Sequence, residues 1–217
     1  MPLDELHRRV ATVALRVATR YGFALGGGNA LIAHGLITRP TQDVDLFTND
    51  ERGVGAAADS VEAALHEAGF EAEREDGAAG LGDIFEGMGE GLAEWTVTAP
   101  GGRRMMLQMA YFDRAAQPVA MDVGPVLNLQ DVVGGKVCAL ASRAEPRDYI
   151  DTAAALTQYS IEQVIGFARG LDPGLEDRDF ADAARRLDQW GDGIFAPFGL
   201  GAADVAALRE AFRDWPR

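Results

Sequence analysis

One stretch, from Gly26 to Asp50, constrains this chain more than any other. It begins with three consecutive glycines, continues into a short apolar segment that ends at Leu36, and reaches the sequence Asp-Val-Asp-Leu-Phe. Glycine lets the backbone approach another group more closely than a side chain would allow, and the first amides of a helix can bind phosphate. The stretch therefore predicts a glycine turn, a short helix and a strand that together form one site.

The acidic strand carries the clearest chemical signal. Asp43 and Asp45 are two positions apart, so on a strand both carboxylates point to one face while Val44 and Leu46 point to the other. Adjacent carboxylates repel each other unless a cation lies between them. Hard divalent cations prefer oxygen ligands, and we therefore predict that this pair binds Mg²⁺ or Mn²⁺.

The composition limits the classes of function. The chain has 217 residues, of which 47% are apolar, and a formal charge of −14, so it lacks the overall basic character of a non-specific nucleic-acid binder. A local basic patch made of Arg103, Arg104, Arg143 and Arg147 is compatible with this charge. The excess of acid also suits a cationic small substrate or a basic protein partner.

The cysteine content and the hydropathy pattern predict a cytoplasmic protein. The single cysteine, Cys138, excludes an internal disulfide and is typical of a reducing compartment. Because Cys138 lies in an apolar helical run, we expect a core residue and not a reactive thiol. The sequence has no run of about 18 apolar residues and no signal-peptide hydrophobic region, so we expect no membrane association.

The periodicity of apolar residues predicts an α+β fold with a mixed sheet and flanking helices on one face. Glycine and acidic residues dominate residues 76–91, which predicts a loop. The predicted helices of this part span residues 3–21, about 30–36 and about 52–68, and the predicted strands span residues 23–25, 43–47, 70–74, 92–98, 103–111 and 119–123.

After Pro125 the pattern becomes almost wholly helical, which predicts a C-terminal helical bundle. We place the domain boundary so that residues 1–126 form the mixed-sheet domain and residues 127–217 form the helical domain. The large aromatic residues Trp190, Phe195, Phe198 and Trp215 are expected to pack between the C-terminal helices. The predicted helices of this part span residues 130–142, 146–159, 161–171, 177–190 and 202–215.

The three histidines are assigned structural places, and for His34 no other His, Cys or Asp stands at metal-ligand spacing on the same helix. His34 is expected to be a partly buried helix residue. His7 and His66 lie on amphipathic helices and are expected at the surface.

Two groups of motifs resemble a known superfamily and one of its branches. A glycine pair that opens a short helix, followed by Arg-x-Thr-x-Asp-x-Asp-Leu from Arg39 to Leu46, resembles the nucleotidyltransferase fold of the DNA polymerase beta superfamily. The sequence Gly-Gly-x-Ala-Leu from Gly27, with Lys-x-x-Ala-Leu from Lys136 and Arg-Asp-Tyr-Ile-Asp from Arg147, resembles the AbiEii-like branch. That branch includes the toxins of type IV toxin-antitoxin systems. The resemblance covers Gly26 to about Leu156.

The resemblance implies a metal-dependent nucleotidyltransferase. Such an enzyme moves a nucleoside monophosphate from a nucleoside triphosphate to a hydroxyl group, either at the 3′ end of a tRNA or on a small molecule, and has an antitoxin as a partner. Asp43 and Asp45 would hold the metal, and Gly27 and Gly28 would hold the triphosphate. Asn29 would bind a phosphate oxygen or cap the helix.

The resemblance also assigns roles to other polar residues. Thr41 would belong to the nucleotide site. Lys136 would neutralise phosphate charge and Asp151 would orient it. The alternative for Lys136 and Asp151 is an interhelical ion pair with a structural role, and the same two interpretations apply to Asp148 and Arg147.

The sequence departs from the superfamily at the third carboxylate, which members usually carry on a strand beside the acidic pair. The strand that should supply it has Gln108 at its centre and no acid before Asp113. A glutamine can coordinate a metal through its carbonyl oxygen but cannot act as a general base. Asp122 is the nearest alternative metal ligand, provided that its strand lies beside the acidic strand. The alternative function is a nucleotide-binding or partner protein that kept the fold and lost the chemistry.

Overall fold

The structure, a computed structural model, describes residues 3–75 and 91–217. The chain divides into two compact units, one ending at Asn128 and one beginning at Leu129. The α+β class, with a mixed sheet, flanking helices and a C-terminal helical bundle, is confirmed. The domain boundary at residue 126 stays a prediction, and the predicted loop at residues 76–91 lies outside the described residues except for Gly91.

The first unit contains three α-helices and seven strands among its described residues. A short 3₁₀ helix, Thr19–Tyr21, follows α1. The helices are α1 (Glu5–Ala18), α2 (Gly27–Ala33) and α3 (Gly53–Glu67), and the strands are β1 (Ala24–Leu25), β2 (Asp43–Thr48), β3 (Glu71–Arg74), β4 (Leu92–Thr98), β5 (Arg104–Tyr111), β6 (Val119–Met121) and β7 (Gly124–Val126).

The acidic strand lies in the middle of the sheet. The strand order is β3-β4-β5-β2-β1-β7-β6. Strand β2 runs parallel to β5 and antiparallel to β1, and β1 runs parallel to β7. The carboxylates of β2 therefore have a neighbouring strand on each side, and β5 is the neighbour that can present further side chains beside them.

The two faces of the sheet differ in burial. Val44 and Leu46 on β2, like Leu107 and Met109 on β5, are fully buried on the face that α1 and α3 cover. A hydrogen bond from Trp95 Nε1 on β4 to Glu62 Oε2 on α3, 3.0 Å long, joins this face to its helix layer. The alternate residues of β2 point to the other face and are only half-buried. The acid pair therefore lies on the more open face.

The predicted strand over residues 119–123 is wrong in one respect. The strand ends at Met121, because Asp122 and Val123 form a turn, and a further strand that the sequence did not predict, β7, begins after this turn. Met121 and Gly124 pair across this turn, and Gly124 has a φ of 123°, a backbone conformation that favours glycine. The chain reverses here, and β7 returns to pair with β1.

The second unit is a helical bundle in which α4 contacts α5, α6 and α7. Two predicted helices end earlier than expected, α5 at Ala155 and α8 at Ala211. For α5 the reason is local, because Ser160 must adopt an extended backbone to cap the next helix. The helices are α4 (Leu129–Ser142), α5 (Pro146–Ala155), α6 (Ile161–Leu171), α7 (Asp177–Gln189) and α8 (Ala202–Ala211), with a 3₁₀ helix at Asp192–Phe198.

Aromatic residues form much of the core of the second unit. Phe195 and Trp215 are buried, as expected, and Tyr149 contacts both Trp190 and Phe212 edge to face. The hydroxyl of Tyr149 donates to the backbone oxygen of Ala183 at 2.7 Å, and burial raises the pKa of Tyr149 to about 12. In residues 3–75 and 91–217 no helix is both long and apolar enough to span a membrane.

Candidate active site

The structure places the glycine turn directly against the acidic strand. The backbone amide of Gly26 donates to the carbonyl oxygen of Asp45 at 2.8 Å. Gly27 has a φ of 57°, and a Cβ atom at this position would overlap Oδ2 of Asp45. Only glycine allows both the backbone conformation and this close approach. The turn and the Asp45 carboxylate therefore form one packed unit.

The start of the acidic strand is held by hydrogen bonds that involve Asn29 and Thr41. Asn29 Nδ2 donates to the backbone oxygen of Asp43 at 2.7 Å, and the Thr41 hydroxyl donates to Asn29 Oδ1 at 3.0 Å. The Asn29 side chain is fully buried and engaged in these two hydrogen bonds, and its contact with a phosphate oxygen stays a prediction. The capping role is wrong, since Gly26 is the N-cap of α2. Gly28 is also buried, and a Cβ atom there would overlap the Thr41 side chain.

His7 is not a surface residue, contrary to the prediction. Its exposed fraction is 5%, because the first turn of α1 packs against the segment that leads into β2. Nδ1 of His7 lies 3.4 Å from the Thr41 hydroxyl. Burial lowers the pKa of His7, Arg103 lowers it further, and Asp4 and Asp43 act in the opposite direction. The net effect favours the neutral imidazole.

A cavity of about 480 Å³ opens beside Asp43. Two of the four arginines of the predicted basic patch, Arg103 and Arg104, line it. Arg103 is paired with Asp4 at 3.1 Å, and Arg104 is exposed. The cavity is lined by His7, Thr41, Gln42, Asp43, Thr96, Arg103, Arg104, Met105 and Met106.

The neighbour of Asp45 on β5 is Gln108, as the sequence analysis assumed. The two residues are register partners on parallel strands. On its other side Gln108 is the register partner of Glu94 on β4, and Gln108 Nε2 donates to Glu94 Oε1 at 2.7 Å. Sequence reasoning missed Glu94, because it gave no way to establish which residue of β4 would face Gln108.

Asp122 and Asp113 do not stand beside the acid pair. The prediction for Asp122 required its strand to neighbour β2, but β7 and β1 lie between β6 and β2. Asp122 is in the turn after β6, and the metal role assigned to it is therefore wrong. Asp113 follows the end of β5, is exposed, and accepts a hydrogen bond from the backbone amide of Arg114 at 3.0 Å.

The oxygen donors near β2 suit a hard cation. Asp43 and Asp45 offer carboxylates on one face, and Gln108 offers a carboxamide on the adjacent strand. Among the residues that the structure describes, no three His, Cys, Asp or Glu side chains cluster in a way that could hold a metal ion. The two carboxylates and the carboxamide are nevertheless oxygen donors of the kind that Mg²⁺ and Mn²⁺ prefer, and the binding of either cation stays a prediction.

In the second unit, Lys136 and Asp151 form a buried ion pair. Lys136 Nζ lies 2.9 Å from Asp151 Oδ2, and the exposed fractions of the two side chains are 15% and 0%. The pair joins α4 to α5. The interhelical ion pair of the structural interpretation is therefore present, with its carboxylate fully buried, and the catalytic role of the two residues stays a prediction.

Asp148 has a structural role. Its carboxylate accepts two hydrogen bonds from the Arg143 guanidinium, both 3.0 Å long, and a third from the backbone amide of Glu145 at 3.1 Å. This set closes the capping box at the start of α5. Arg147 pairs with Glu145 at 2.9 Å. Of the four predicted patch arginines, Arg143 and Arg147 are thus engaged within the second unit.

Cys138 has the properties of an unreactive thiol. Burial raises its pKa to about 11, and Sγ donates to the backbone oxygen of Ala168 at 3.4 Å. At neutral pH the thiolate, which is the nucleophilic form, is scarce.

Sequence comparison identifies one family over nearly the whole chain. The family model described as "Nucleotidyl transferase AbiEii toxin, Type IV TA system" matches residues 11–214. No curated protein matches the sequence. The family match confirms the resemblance drawn from the motifs and the predicted class of enzyme, a nucleotidyltransferase.

Several solved structures are similar in fold. The nucleotidyltransferase toxin MenT4 from Mycobacterium tuberculosis superposes with a TM-score of 0.62 at 14% identity, covering 96% of this chain and 82% of its own. JHP933 from Helicobacter pylori gives 0.59 at 13% identity, with 96% and 91% covered. A further Helicobacter pylori structure, described as a putative nucleotidyltransferase, gives 0.57 at 12% identity, with 96% and 94% covered. At these identities the similarity establishes the fold.

Proposed function

This chain belongs to the family of AbiEii nucleotidyltransferase toxins, and we propose that it transfers a nucleoside monophosphate from a nucleoside triphosphate to a hydroxyl acceptor in a reaction that depends on Mg²⁺ or Mn²⁺. The observation that carries the proposal is the contact between Gly27 and the Asp45 carboxylate on a central strand whose other acid, Asp43, faces the same way. A glycine turn locked against a pair of metal-binding carboxylates brings triphosphate and metal ligands together.

In this proposal, different residues of the first unit bind the cation and the triphosphate. Asp43 and Asp45 hold the cation, and the backbone at Gly27 and Gly28 contacts the triphosphate. Asn29, Thr41 and the buried packing of Gly28 keep Asp43 in place. Asp43 and Asp45 would hold a cation whose charge would offset the negative charge of the phosphates. In the reaction the bond from the α-phosphorus to pyrophosphate breaks and the bond to the acceptor oxygen forms.

Lys136 and Asp151 are proposed as further catalytic residues on the basis of the motifs that the family shares. The Asp151 carboxylate, fully buried, restricts the position of the Lys136 ammonium group, which keeps 15% of its side chain exposed. An ammonium group that is held in this way can neutralise phosphate charge without searching many rotamers.

Two acceptors are compatible with the chain, the 3′ end of a tRNA and a small hydroxyl compound. The charge of −14 and the acidic residues of the open sheet face oppose a polyanion and favour a cationic small molecule. Arg104, exposed at the cavity beside Asp43, favours an anionic acceptor instead. The acceptor is therefore a matter for experiment.

The proposal is tested by incubating the protein with each radiolabelled nucleoside triphosphate and Mg²⁺, together with either total tRNA or an aminoglycoside. We expect label in one acceptor, and no label after EDTA treatment until Mg²⁺ or Mn²⁺ is restored. Transfer that continues unchanged in EDTA would contradict the metal dependence.

A second candidate function has one observation in its favour, the glutamine at position 108 where the superfamily usually has an acid. A catalytically weakened protein would bind nucleoside triphosphate with Mg²⁺ in calorimetry and would not turn it over with any acceptor. Binding followed by transfer would exclude this candidate.

A type IV toxin family implies an antitoxin partner, and we propose that this chain has one and acts in the cytoplasm. Its excess of acidic residues suits a partner with a basic surface. Co-expression with the product of the adjacent reading frame tests this proposal, because an antitoxin would relieve growth inhibition caused by this chain alone.

A further inference from the structure

A row of three polar residues crosses the open face of the sheet. Asp45 on β2 is the register partner of Gln108 on β5, and Gln108 is the register partner of Glu94 on β4. All three are half-buried and alternate with buried apolar residues, so their side chains share one face. On the antiparallel strands β4 and β5, opposite residues bring their Cβ atoms to within about 4.5–5.5 Å. Gln108 therefore stands between two acids.

The hydrogen bond to Glu94 fixes the orientation of the Gln108 amide. Nε2 of Gln108 lies 2.7 Å from Oε1 of Glu94. An ionised carboxylate can only accept hydrogen bonds, so the amide nitrogen and not the amide oxygen must face Glu94. The carbonyl oxygen Oε1 therefore does not face Glu94, and the other register partner of Gln108 is Asp45 on β2.

Gln108 has the only side-chain oxygen that β5 presents on the open face. The residues of β5 that point to this face are Arg104, Met106, Gln108 and Ala110. Met106, opposite Asp43, is apolar and 40% exposed. A ligand from β5 for a cation at the acid pair must therefore be Gln108.

We propose that Glu94 is a positioning residue of the metal site, which holds the Gln108 amide so that Oε1 of Gln108 completes the oxygen donors of Asp43 and Asp45. This inference rests on the proposed function, because it requires that the two aspartates bind the cation. Amide oxygens are suitable ligands for hard divalent cations. Glu94 acts only through Gln108 and touches neither the cation nor the substrate.

Two chemical consequences follow from a neutral third ligand. The donor set carries a charge of about −2, which balances one divalent cation, where a third carboxylate would bring it to about −3. A carboxamide also cannot accept a proton from the acceptor hydroxyl. The proton of the acceptor hydroxyl is therefore not taken up by Gln108.

The test measures Mn²⁺ binding to the free protein by electron paramagnetic resonance, without nucleotide or turnover. In Glu94→Gln the neighbour of Gln108 can either donate or accept, so the orientation of the Gln108 amide is lost. We expect Mn²⁺ affinity to fall by about 10-fold or more, the usual effect of removing a residue that orients a metal ligand. The matched control is Glu73→Gln on β3, which removes the same charge from an exposed position of the sheet.

A double exchange, a variant in which the residues at positions 94 and 108 are exchanged, distinguishes a loss of Gln108 orientation from a folding defect. In Glu94→Gln with Gln108→Glu, the amide donates from β4 and the carboxylate stands on β5, so the hydrogen bond returns in reverse and an oxygen still faces Asp45. We expect this variant to bind Mn²⁺ at least as tightly as the wild type. Gln108→Leu should bind as weakly as Glu94→Gln or more weakly.

The outcomes distinguish the two proposals. If the wild type binds Mn²⁺ and Glu94→Gln binds it as tightly as Glu73→Gln does, the proposed role of Glu94 is overturned. The proposed metal site at the two aspartates is not affected by that result. Wild-type protein that binds no Mn²⁺, with or without nucleoside triphosphate, overturns the metal dependence itself. Failure of the double exchange to recover binding in a variant with a wild-type thermal transition also overturns the positioning role.

Discussion

Lys136 Nζ lies 2.9 Å from Oδ2 of Asp151, and the carboxylate of Asp151 has no exposed surface. Removing Lys136 takes an ion-pair partner from this buried carboxylate, and breaking a buried ion pair costs up to about 3–5 kcal/mol. We therefore predict that Lys136→Met lowers the free energy of unfolding by that order and abolishes transfer. Chemical denaturation and a transfer assay check the two effects.

The variant Lys136→Met with Asp151→Asn separates stability from chemistry. It removes both charges, so most of the lost stability should return while transfer stays absent. Arg143→Met is the matched control, because it breaks the ion pair with the buried Asp148 and should lower stability while keeping activity per folded molecule. Transfer at the wild-type rate in the double variant would contradict a catalytic role for Lys136.

The contact between Gly27 and Asp45 gives a second prediction. Gly27→Ala would place a Cβ atom onto Oδ2 of Asp45 and should lower the transfer rate by about 100-fold, the effect of a misplacement of about 1 Å. Gly35→Ala is the control, since Gly35 also has a left-handed backbone, with a φ of 73°, but no atom within 4 Å of the added Cβ. It should lower stability by about 1–2 kcal/mol and keep the activity. Equal activity in both variants would exclude the close approach as a feature of the site.

Two glycines of the helical unit should respond in opposite directions to the same substitution. A Cβ atom on Gly134 would lie 2.8 Å from Leu171 Cδ1 and 2.9 Å from the backbone oxygen of Phe167, so Gly134→Ala should destabilise by about 1–3 kcal/mol. Gly166, exposed within α6, has open space around it, and Gly166→Ala should stabilise by about 0.5–1 kcal/mol through helix propensity. Urea denaturation measures both values, and a shift of the same sign in both would contradict the packing of α4 against α6.

The buried His7 predicts a dependence of stability on pH. Burial lowers the pKa of His7 below its usual value of 6.5, so the unfolded chain binds more protons than the folded chain as the pH falls through that value. The contribution of His7 to stability is therefore complete above about pH 6.5 and is lost as the pH falls below it. His7→Gln should lose less stability than the wild type between pH 7.5 and 5.5 in urea denaturation at each pH. Parallel losses in the two proteins would show that His7 does not titrate with folding.

The sequence predicted those parts of the site that depend on local pattern. The two-residue spacing of Asp43 and Asp45 places both carboxylates on one face of any strand, and the structure has that strand at residues 43–48. The α+β architecture followed from the order of helical and alternating segments. Neither result required knowledge of which strands are neighbours.

The predictions that failed depended on tertiary packing. The metal role of Asp122 required its strand to lie beside β2, and the order of strands in the sheet excludes this. Glu94 was missed because its pairing with Gln108 depends on the register of β4 against β5. His7 was assigned to the surface because nothing in the local pattern shows that the first turn of α1 is buried. Register and burial are set by long-range contacts, which a single sequence does not display.

The most direct test of the account compares Mg²⁺-dependent transfer of labelled nucleotide by the wild type, Asp43→Asn and Asp45→Asn. The substitutions keep the shape of the side chains and remove the charges that hold the cation. Asp59→Asn is the control, an acid of the same unit whose side chain is 95% exposed on α3. We predict transfer by the wild type and the control at similar rates and none above background by the other two variants. Transfer by Asp43→Asn or Asp45→Asn at the rate of the control would contradict the account.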